Sequence, residues 1–217
     1  MAKLKIMKKD LDIPVNNRDF LTNWYKNRVI PDDYIQVGYE KDKPSILEKI
    51  KNLPSTQIVK NIDTIGNSGD ETKNVTGQYN PRTNLILMKK NAPSWTETHE
   101  LNHAINDTDS YMRTIHKDIV NNEIMPKKDA KGIYKEKYEY FTNPDEVHSR
   151  VMVLRQAAGI KPNQVVTPEY LDNFIKNYKG DNSNINDLLK LSKGKEGLLN
   201  MLNYMAANKS NKNLTQA

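Results

Sequence analysis

Two histidines four residues apart give this sequence its clearest chemical feature. Residues 99–103 read His-Glu-Leu-Asn-His, the pattern H-E-x-x-H, and the whole chain contains only four histidines. On an α-helix, residues four positions apart lie on one face in consecutive turns, so His99 and His103 would point in the same direction. Two neutral imidazoles so placed can supply two ligands of a tetrahedral zinc ion, and Glu100 is then positioned to act as a base toward water. The motif therefore predicts a Zn²⁺ site with a general base beside it.

A catalytic zinc site normally has three protein ligands, so the third must come from another part of the chain. We expect it to be Glu146, which lies in the first turn of a helix predicted to begin after Asn143. Asn143 and Glu146 also have the spacing of a capping box, in which the glutamate would fold back onto the backbone amide of the N-cap residue. His148 is an alternative ligand two residues further on, and Asp109 and His116 are weaker alternatives. The sequence leaves these alternatives open.

The elements that must position these residues can be predicted from capping and turn patterns. Ser94 and Glu97 have capping-box spacing, so the motif helix is expected to begin at Ser94. Before it, residues 75–79 and 84–88 flank an Asn-Pro turn and predict a β-hairpin, and residues 57–65 predict a further strand. After it, an exposed loop is predicted at residues 127–137. The helix that follows this loop is expected to end near a glycine, Gly159.

These patterns predict an α+β fold, mostly helical, with a small sheet and hairpin before the H-E-x-x-H helix. Residues 1–54 are predicted to form an N-terminal helical segment, and residues 55–160 a metal-binding domain. Residues 161–217 are predicted to form a C-terminal helical subdomain followed by a polar tail. Within this last segment, helices are expected to begin near three residues, Thr167, Asn184 and Gly197.

Composition narrows the class of protein further. With no cysteine among 217 residues, there is no disulfide framework, and any zinc must be held by histidine and carboxylate. The net charge of +6 is spread thinly and most of the basic residues are lysine, which makes a nucleic-acid partner unlikely. No run of eighteen apolar residues exists, so no membrane span is predicted. The N-terminus lacks the features of a secretory signal, and a cytoplasmic (intracellular) or virion location is expected.

The order of the predicted elements resembles that of the zincin metallopeptidases in their gluzincin-like form. The shared features are a strand and hairpin, a helix with H-E-x-x-H, and a later helix that carries a glutamate. Residues 146–150 read E-V-H-S-R and resemble the E-x-x-A-R pattern of many such proteins, with Ser149 in the small position. The resemblance covers roughly residues 57–158, and it implies a zincin-like fold.

This resemblance also implies a function, the hydrolysis of a protein or peptide substrate. Zinc held by His99, His103 and Glu146 would activate water, and Glu100 would accept its proton and pass it to the leaving amine. The substrate would align by β-addition along an edge strand just before the motif helix, which here is residues 84–88. A further donor would stabilise the oxyanion, and four residues are candidates: Tyr138, Tyr140, His148 and Arg150.

A second function class competes with the peptidase. The Lys/Asn/Ile bias suits an AT-rich genome such as that of a phage, and we expect neither a secretory leader nor a pro-segment that would restrain a protease. The chain could therefore be a structural component of a large assembly, such as a ring, neck or tail protein of a tailed-phage virion. In that case it would keep a zincin-like fold and contact other subunits of the assembly, because a fold does not by itself imply an activity.

Overall fold

The computed structural model describes residues 57–63, 65, 75–106, 117, 120–161 and 164–204. The predicted N-terminal helical segment and the polar tail from residue 208 lie outside the described residues, as do the candidate ligands Asp109 and His116. Within the described part, the chain has an α+β fold in which helices pack around a small three-stranded sheet.

The sheet contains the predicted hairpin and one further strand. Strand β1 is Gln57–Ile62, β2 is Gly77–Asn80 and β3 is Leu85–Lys89, so β1 ends earlier than predicted. The strand order is β1-β3-β2, with β1 parallel and β2 antiparallel to β3. Asn84 adopts a positive φ of 50° at the end of the hairpin turn, a conformation that asparagine tolerates better than most residues. The prediction of a hairpin just before the motif helix is confirmed.

The prediction that residues 84–88 form an edge strand is wrong. β3 is the central strand, because β1, which comes earlier in the chain, pairs with the edge of β3 that β2 leaves open. The two edges of the described sheet are therefore β1 and β2.

Most helices begin close to where capping patterns place them. Helix α1 is Ser94–Asn106, and α4 is Pro144–Ala157 with Asn143 as its N-cap. The remaining helices are α2 (Ile133–Glu136), α3 (Tyr138–Phe141), α5 (Pro168–Asn177), α6 (Ser183–Leu191) and α7 (Gly194–Tyr204). None of the helices in the described ranges has both the length and the apolar character needed to cross a bilayer.

The predicted loop at residues 127–137 is too long, because its second half forms α2. Tyr134 in this short helix is partly buried, and its hydroxyl donates to Asp187 of α6 at 2.9 Å. This tertiary contact, which local sequence patterns do not encode, holds the helical turn in place.

Helix α4 lies at the centre of the packing. Every residue from Val147 to Arg155 is buried, and α4 contacts α1 as well as α6 and α7. The helix ends in a Schellman motif, in which Gly159 has a φ of 66° and the Ile160 amide donates to the Arg155 carbonyl at 2.9 Å. One continuous core therefore includes residues from the sheet, α1, α4 and the C-terminal helices.

Candidate metal centre

The two motif histidines lie on one face of α1, as their spacing predicts. The helix begins at Ser94, where the Thr96 amide donates to the Pro93 carbonyl at 2.9 Å, so both histidines lie within regular helix. The Nε2 atoms of His99 and His103 are 3.0 Å apart, and the rings meet edge to face. Their side chains are only 12% and 19% exposed. The pair thus presents two nitrogen donors to one partly enclosed point.

Glu146 turns its carboxylate toward this histidine pair and not toward the N-cap. Its Oε2 lies 3.4 Å from the Nε2 of His99, and its Oε1 lies 3.4 Å from the Nε2 of His103. The cap is made instead by the Asn143 side chain, which accepts from the Asp145 amide at 2.9 Å. The backbone amide of Asn143, which a capping box would use, donates to the Tyr140 carbonyl. Of the two roles that the sequence left open for Glu146, the geometry favours the ligand.

These three side chains form a group of nitrogen and oxygen donors that could hold a metal ion. Donors bound at 2.0–2.1 Å in a tetrahedron lie about 3.3 Å apart; here the two Nε2 atoms are 3.0 Å apart, and each lies 3.4 Å from a different oxygen of Glu146. Among the described residues, His99, His103 and Glu146 form the group that could hold a metal ion. One feature departs from the usual pattern: Nδ1 of His99 is buried without a hydrogen-bond partner in the described part of the chain, whereas ligating histidines usually donate this hydrogen.

The charges in this group favour an ionised carboxylate. Burial opposes ionisation of Glu146, but hydrogen bonds from His103 and His99 outweigh it and hold the pKa of this carboxyl well below its usual range. Burial also lowers the pKa of His103, but the contact with Glu146 outweighs this effect and the net shift is upward. Glu146 therefore offers an ionised carboxylate to the two histidines.

Glu100 lies beside this group in a mostly buried position. It is 7% exposed, and its Oε2 accepts a hydrogen bond from the backbone amide of Tyr79 in β2 at 2.8 Å. Burial raises the pKa of the Glu100 carboxyl, although the charges of His99 and His103 act in the opposite direction. A carboxylate that is fixed by one backbone donor and partly desolvated is well suited to accept a proton.

His148, the alternative ligand, takes part in a different contact. It is fully buried, and its Nδ1 lies 2.8 Å from the Nδ2 of Asn102 on α1. The same Asn102 nitrogen donates to the Ser149 hydroxyl at 2.9 Å. His148 is thus part of a buried polar link between α1 and α4, and it does not belong to the metal-binding group.

The four candidates for the oxyanion donor differ in their contacts and in their exposure to solvent. The Tyr138 hydroxyl donates to the Met125 carbonyl at 2.8 Å, and His148 is buried against Asn102. Arg150 is buried against Glu146 and is 3% exposed. Tyr140 is 54% exposed, and its ring centroid lies 5.4 Å from the guanidinium carbon of Arg150. Partial burial and the nearby Glu146 carboxylate raise the pKa of Tyr140 to about 12, so it stays a neutral donor.

Three features of the site were missed by sequence reasoning. Gly77 lets β2 approach α1, the Tyr79 amide binds Glu100, and Asp187 of α6 lies near Arg150. A glycine inside a predicted strand is a known indication of close backbone approach, so Gly77 could have been found. Asp187 belongs to no motif with the other site residues, and only the packing of α6 on α4 brings it near them.

A scan against protein-family models finds no match for this chain, and searches of curated proteins and of solved structures find none either.

Proposed function

We propose that this chain is a zincin-like, zinc-dependent metallopeptidase that hydrolyses peptide bonds in protein substrates. The observation that carries the proposal is the convergence of donors from His99, His103 and Glu146. The two Nε2 atoms are 3.0 Å apart, and each lies 3.4 Å from a different oxygen of Glu146, so the separations are close to the donor spacing of a tetrahedral zinc site. Glu100 follows the first of these donors on the same helix and is held by the Tyr79 amide. A two-histidine, one-carboxylate set with an adjacent carboxylate base is the arrangement of zinc peptidases.

Each residue of the site then has a defined role. When bound, zinc would supply Lewis acidity, which polarises a carbonyl group and makes water more acidic. Glu100 accepts the proton of the attacking water at its carboxylate and passes it to the nitrogen of the leaving amine. Tyr140, the most accessible of the four candidate donors, hydrogen-bonds the oxyanion that forms at the scissile carbonyl.

The outer edge of β2 is the place where we expect the substrate to align. The Thr76 carbonyl accepts from the Lys89 amide at 2.9 Å, so these two residues form a hydrogen-bonded pair between β2 and β3. Hydrogen-bonded and non-hydrogen-bonded pairs alternate along an antiparallel ladder, and the backbone groups of Gly77 and Tyr79 therefore point away from β3. The Tyr79 amide reaches Glu100 from this edge. A peptide paired along β2 would therefore run beside the proposed base, whereas β3 is enclosed on both sides.

The test compares the full chain with its Glu100→Gln variant. Gln keeps the size of the side chain and an oxygen that can accept from the Tyr79 amide, so fold and zinc content should be unchanged. We expect both proteins to bind one zinc ion and the variant to lose cleavage of a casein-like substrate by at least about 100-fold, because it has no proton acceptor. Zinc content would be measured by elemental analysis and cleavage by release of labelled peptides.

The same measurements distinguish the peptidase from the alternative function, a structural component of a large assembly. If the wild-type protein binds zinc and cleaves nothing, the chain is better explained as a structural component that keeps a metal-stabilised fold. If purified protein contains no zinc and takes none up, the metal-based proposals both fail.

A further inference from the structure

A buried guanidinium contacts the proposed third ligand. Nη2 of Arg150 donates to Oε2 of Glu146 at 3.1 Å, and Nη1 donates to the Phe141 carbonyl at 3.1 Å. The guanidinium carbon lies 5.4 Å from the ring centroids of both Tyr140 and Phe141. These contacts engage the two terminal nitrogens of Arg150, one of which is committed to the Glu146 carboxylate.

The third nitrogen of this guanidinium faces a carboxylate from a distant part of the chain. Nε of Arg150 lies 3.6 Å from Oδ2 of Asp187, which projects from α6. The other oxygen of Asp187 accepts from the Tyr134 hydroxyl of α2 at 2.9 Å. A chain of polar contacts therefore joins α2, α6 and α4 and ends at Glu146.

We infer that Asp187 is a positioning residue for the third metal ligand, acting through Arg150; the inference rests on the metal site of the proposed function. Glu146 presents one oxygen toward each histidine, and Arg150 contacts the carboxylate in this orientation. Arg150 can hold the carboxylate only if its own guanidinium is fixed. Asp187 places a negative charge on the side of the guanidinium that Glu146 and Phe141 leave open, where Nε lies at ion-pair distance and has no hydrogen-bond partner among the described residues.

Asp187 also balances the charge around the ligand. Arg150 alone would cancel the charge of Glu146 and make that carboxylate a weaker donor for a dication. With Asp187 present, the three side chains together keep one negative charge beside the two histidines. Partners outside the coordination shell usually change metal affinity by about 10- to 100-fold.

The experiment measures Zn²⁺ and Co²⁺ affinity in the full chain and in Asp187→Asn. The variant should bind Zn²⁺ at least about 10-fold more weakly and show an altered visible spectrum for bound Co²⁺, which reports the geometry of the ligands and not merely the stability of the fold. Asp187→Glu keeps the carboxylate and should recover most of the affinity. Asp172→Asn is the matched control, because Asp172 pairs with the exposed Lys195 on α7 and should leave the affinity unchanged.

A second variant covers the case in which Asp187→Asn does not fold. The double substitution Arg150→Met with Asp187→Leu removes the buried guanidinium together with its partly buried partner, a change that proteins often tolerate without loss of stability. It should fold, and its affinity for Zn²⁺ should be at least about 10-fold below that of the wild type, since nothing then orients Glu146. The outcome is decided by Asp187→Asn if it folds and by the double variant otherwise.

The results separate this inference from the peptidase proposal. A Zn²⁺ affinity less than about 10-fold below that of the wild type in the deciding variant would overturn the role of Asp187 and leave the peptidase proposal standing. Wild-type protein that binds Zn²⁺ but cleaves nothing would remove the peptidase proposal and leave this inference intact if the variant binds more weakly. Wild-type protein that binds no metal would overturn both.

Discussion

At the scale of single residues, the site depends on the direction taken by one carboxylate. Glu146 occupies the third position of α4, from which it could reach either its own N-cap or a neighbouring helix. Asn143 already caps the helix with its side chain, and its amide donates to the Tyr140 carbonyl. Because the local hydrogen bonds are satisfied without it, Glu146 can extend toward His99 and His103.

We therefore expect Glu146→Ala to change mainly Zn²⁺ affinity and Asn143→Ala to change mainly the stability of the fold. Removing the ligand should lower Zn²⁺ affinity by more than about 100-fold, beyond the usual effect of a supporting residue. Removing the cap should lower the free energy of unfolding by about 1 kcal/mol and leave Zn²⁺ affinity nearly unchanged. Competition with a chromogenic chelator and urea unfolding would measure the two quantities. A Glu146→Ala protein that retains tightly bound stoichiometric zinc would contradict the assignment.

The sequence predicted two histidines and Glu146 as donors and left His148 open as an alternative to Glu146. Residues two apart on a helix point about 200° apart, so only one of them can face a given neighbour. Which one faces the motif histidines depends on the rotation of α4 about its axis. That rotation is set by burial of Val147, Val151 and Leu154 in the core, a tertiary property.

At the scale of elements, local signals were sufficient for the starts of α1, α4 and α5 and insufficient for α2 and for the sheet order. The capping residues Asn143 and Thr167 bond to amides within their own first turn, so the chain nearby encodes these starts. The pairing of β1 with β3 joins residues that are distant in sequence and skips β2. The identity of the edge strand follows from that long-range pairing, and therefore the sequence pattern predicted it wrongly.

The close packing of β2 on α1 leads to a prediction for Gly77→Ala. A Cβ at this position would lie 2.5 Å from Cγ2 of Thr96 and 3.0 Å from Cγ of Glu100. The strand must then move away from the helix and weaken the bond from Tyr79 to Glu100, so we expect a loss of about 1–3 kcal/mol in the free energy of unfolding. Chemical denaturation would measure it, with cleavage assayed in parallel.

Thr96→Ser provides the control for this steric explanation. It removes the Cγ2 methyl and keeps the hydroxyl that lies 3.3 Å from that of Thr76. Combined with Gly77→Ala, it should recover part of the lost stability. A double variant no more stable than Gly77→Ala alone would show that the clash with Thr96 is not the cause.

At the scale of the whole molecule, the C-terminal helices complete the environment of α4. Arg155 is fully buried, and its guanidinium donates to the carbonyls of Leu202 and Lys161 at 2.6 Å each. The core cluster contains Leu188 of α6 and Met201 of α7 together with residues of α1 and the sheet. The helix that carries Glu146 is therefore enclosed partly by residues beyond position 160.

A chain ending at residue 160 should consequently fail to form the site. It would expose to water the apolar face of α4 that packs on the C-terminal helices, and it would remove both carbonyl partners of Arg155. We expect no cooperative unfolding transition by circular dichroism and no specific Zn²⁺ binding. A chain ending at Tyr204, which keeps every described helix, should unfold cooperatively and bind Zn²⁺ as the full chain does. Cooperative unfolding of the shorter chain would contradict this dependence.

The buried link from Asn102 to His148 and Ser149 has a kinetic consequence. It clamps α1 to α4 through side chains that no solvent reaches, at a point next to the histidine and glutamate donors. The donors of the proposed site are then already assembled when zinc arrives. We therefore expect the rate of zinc binding at the proposed site to rise linearly with zinc concentration, with no delay from ordering of the chain, in contrast to domains that fold around their metal.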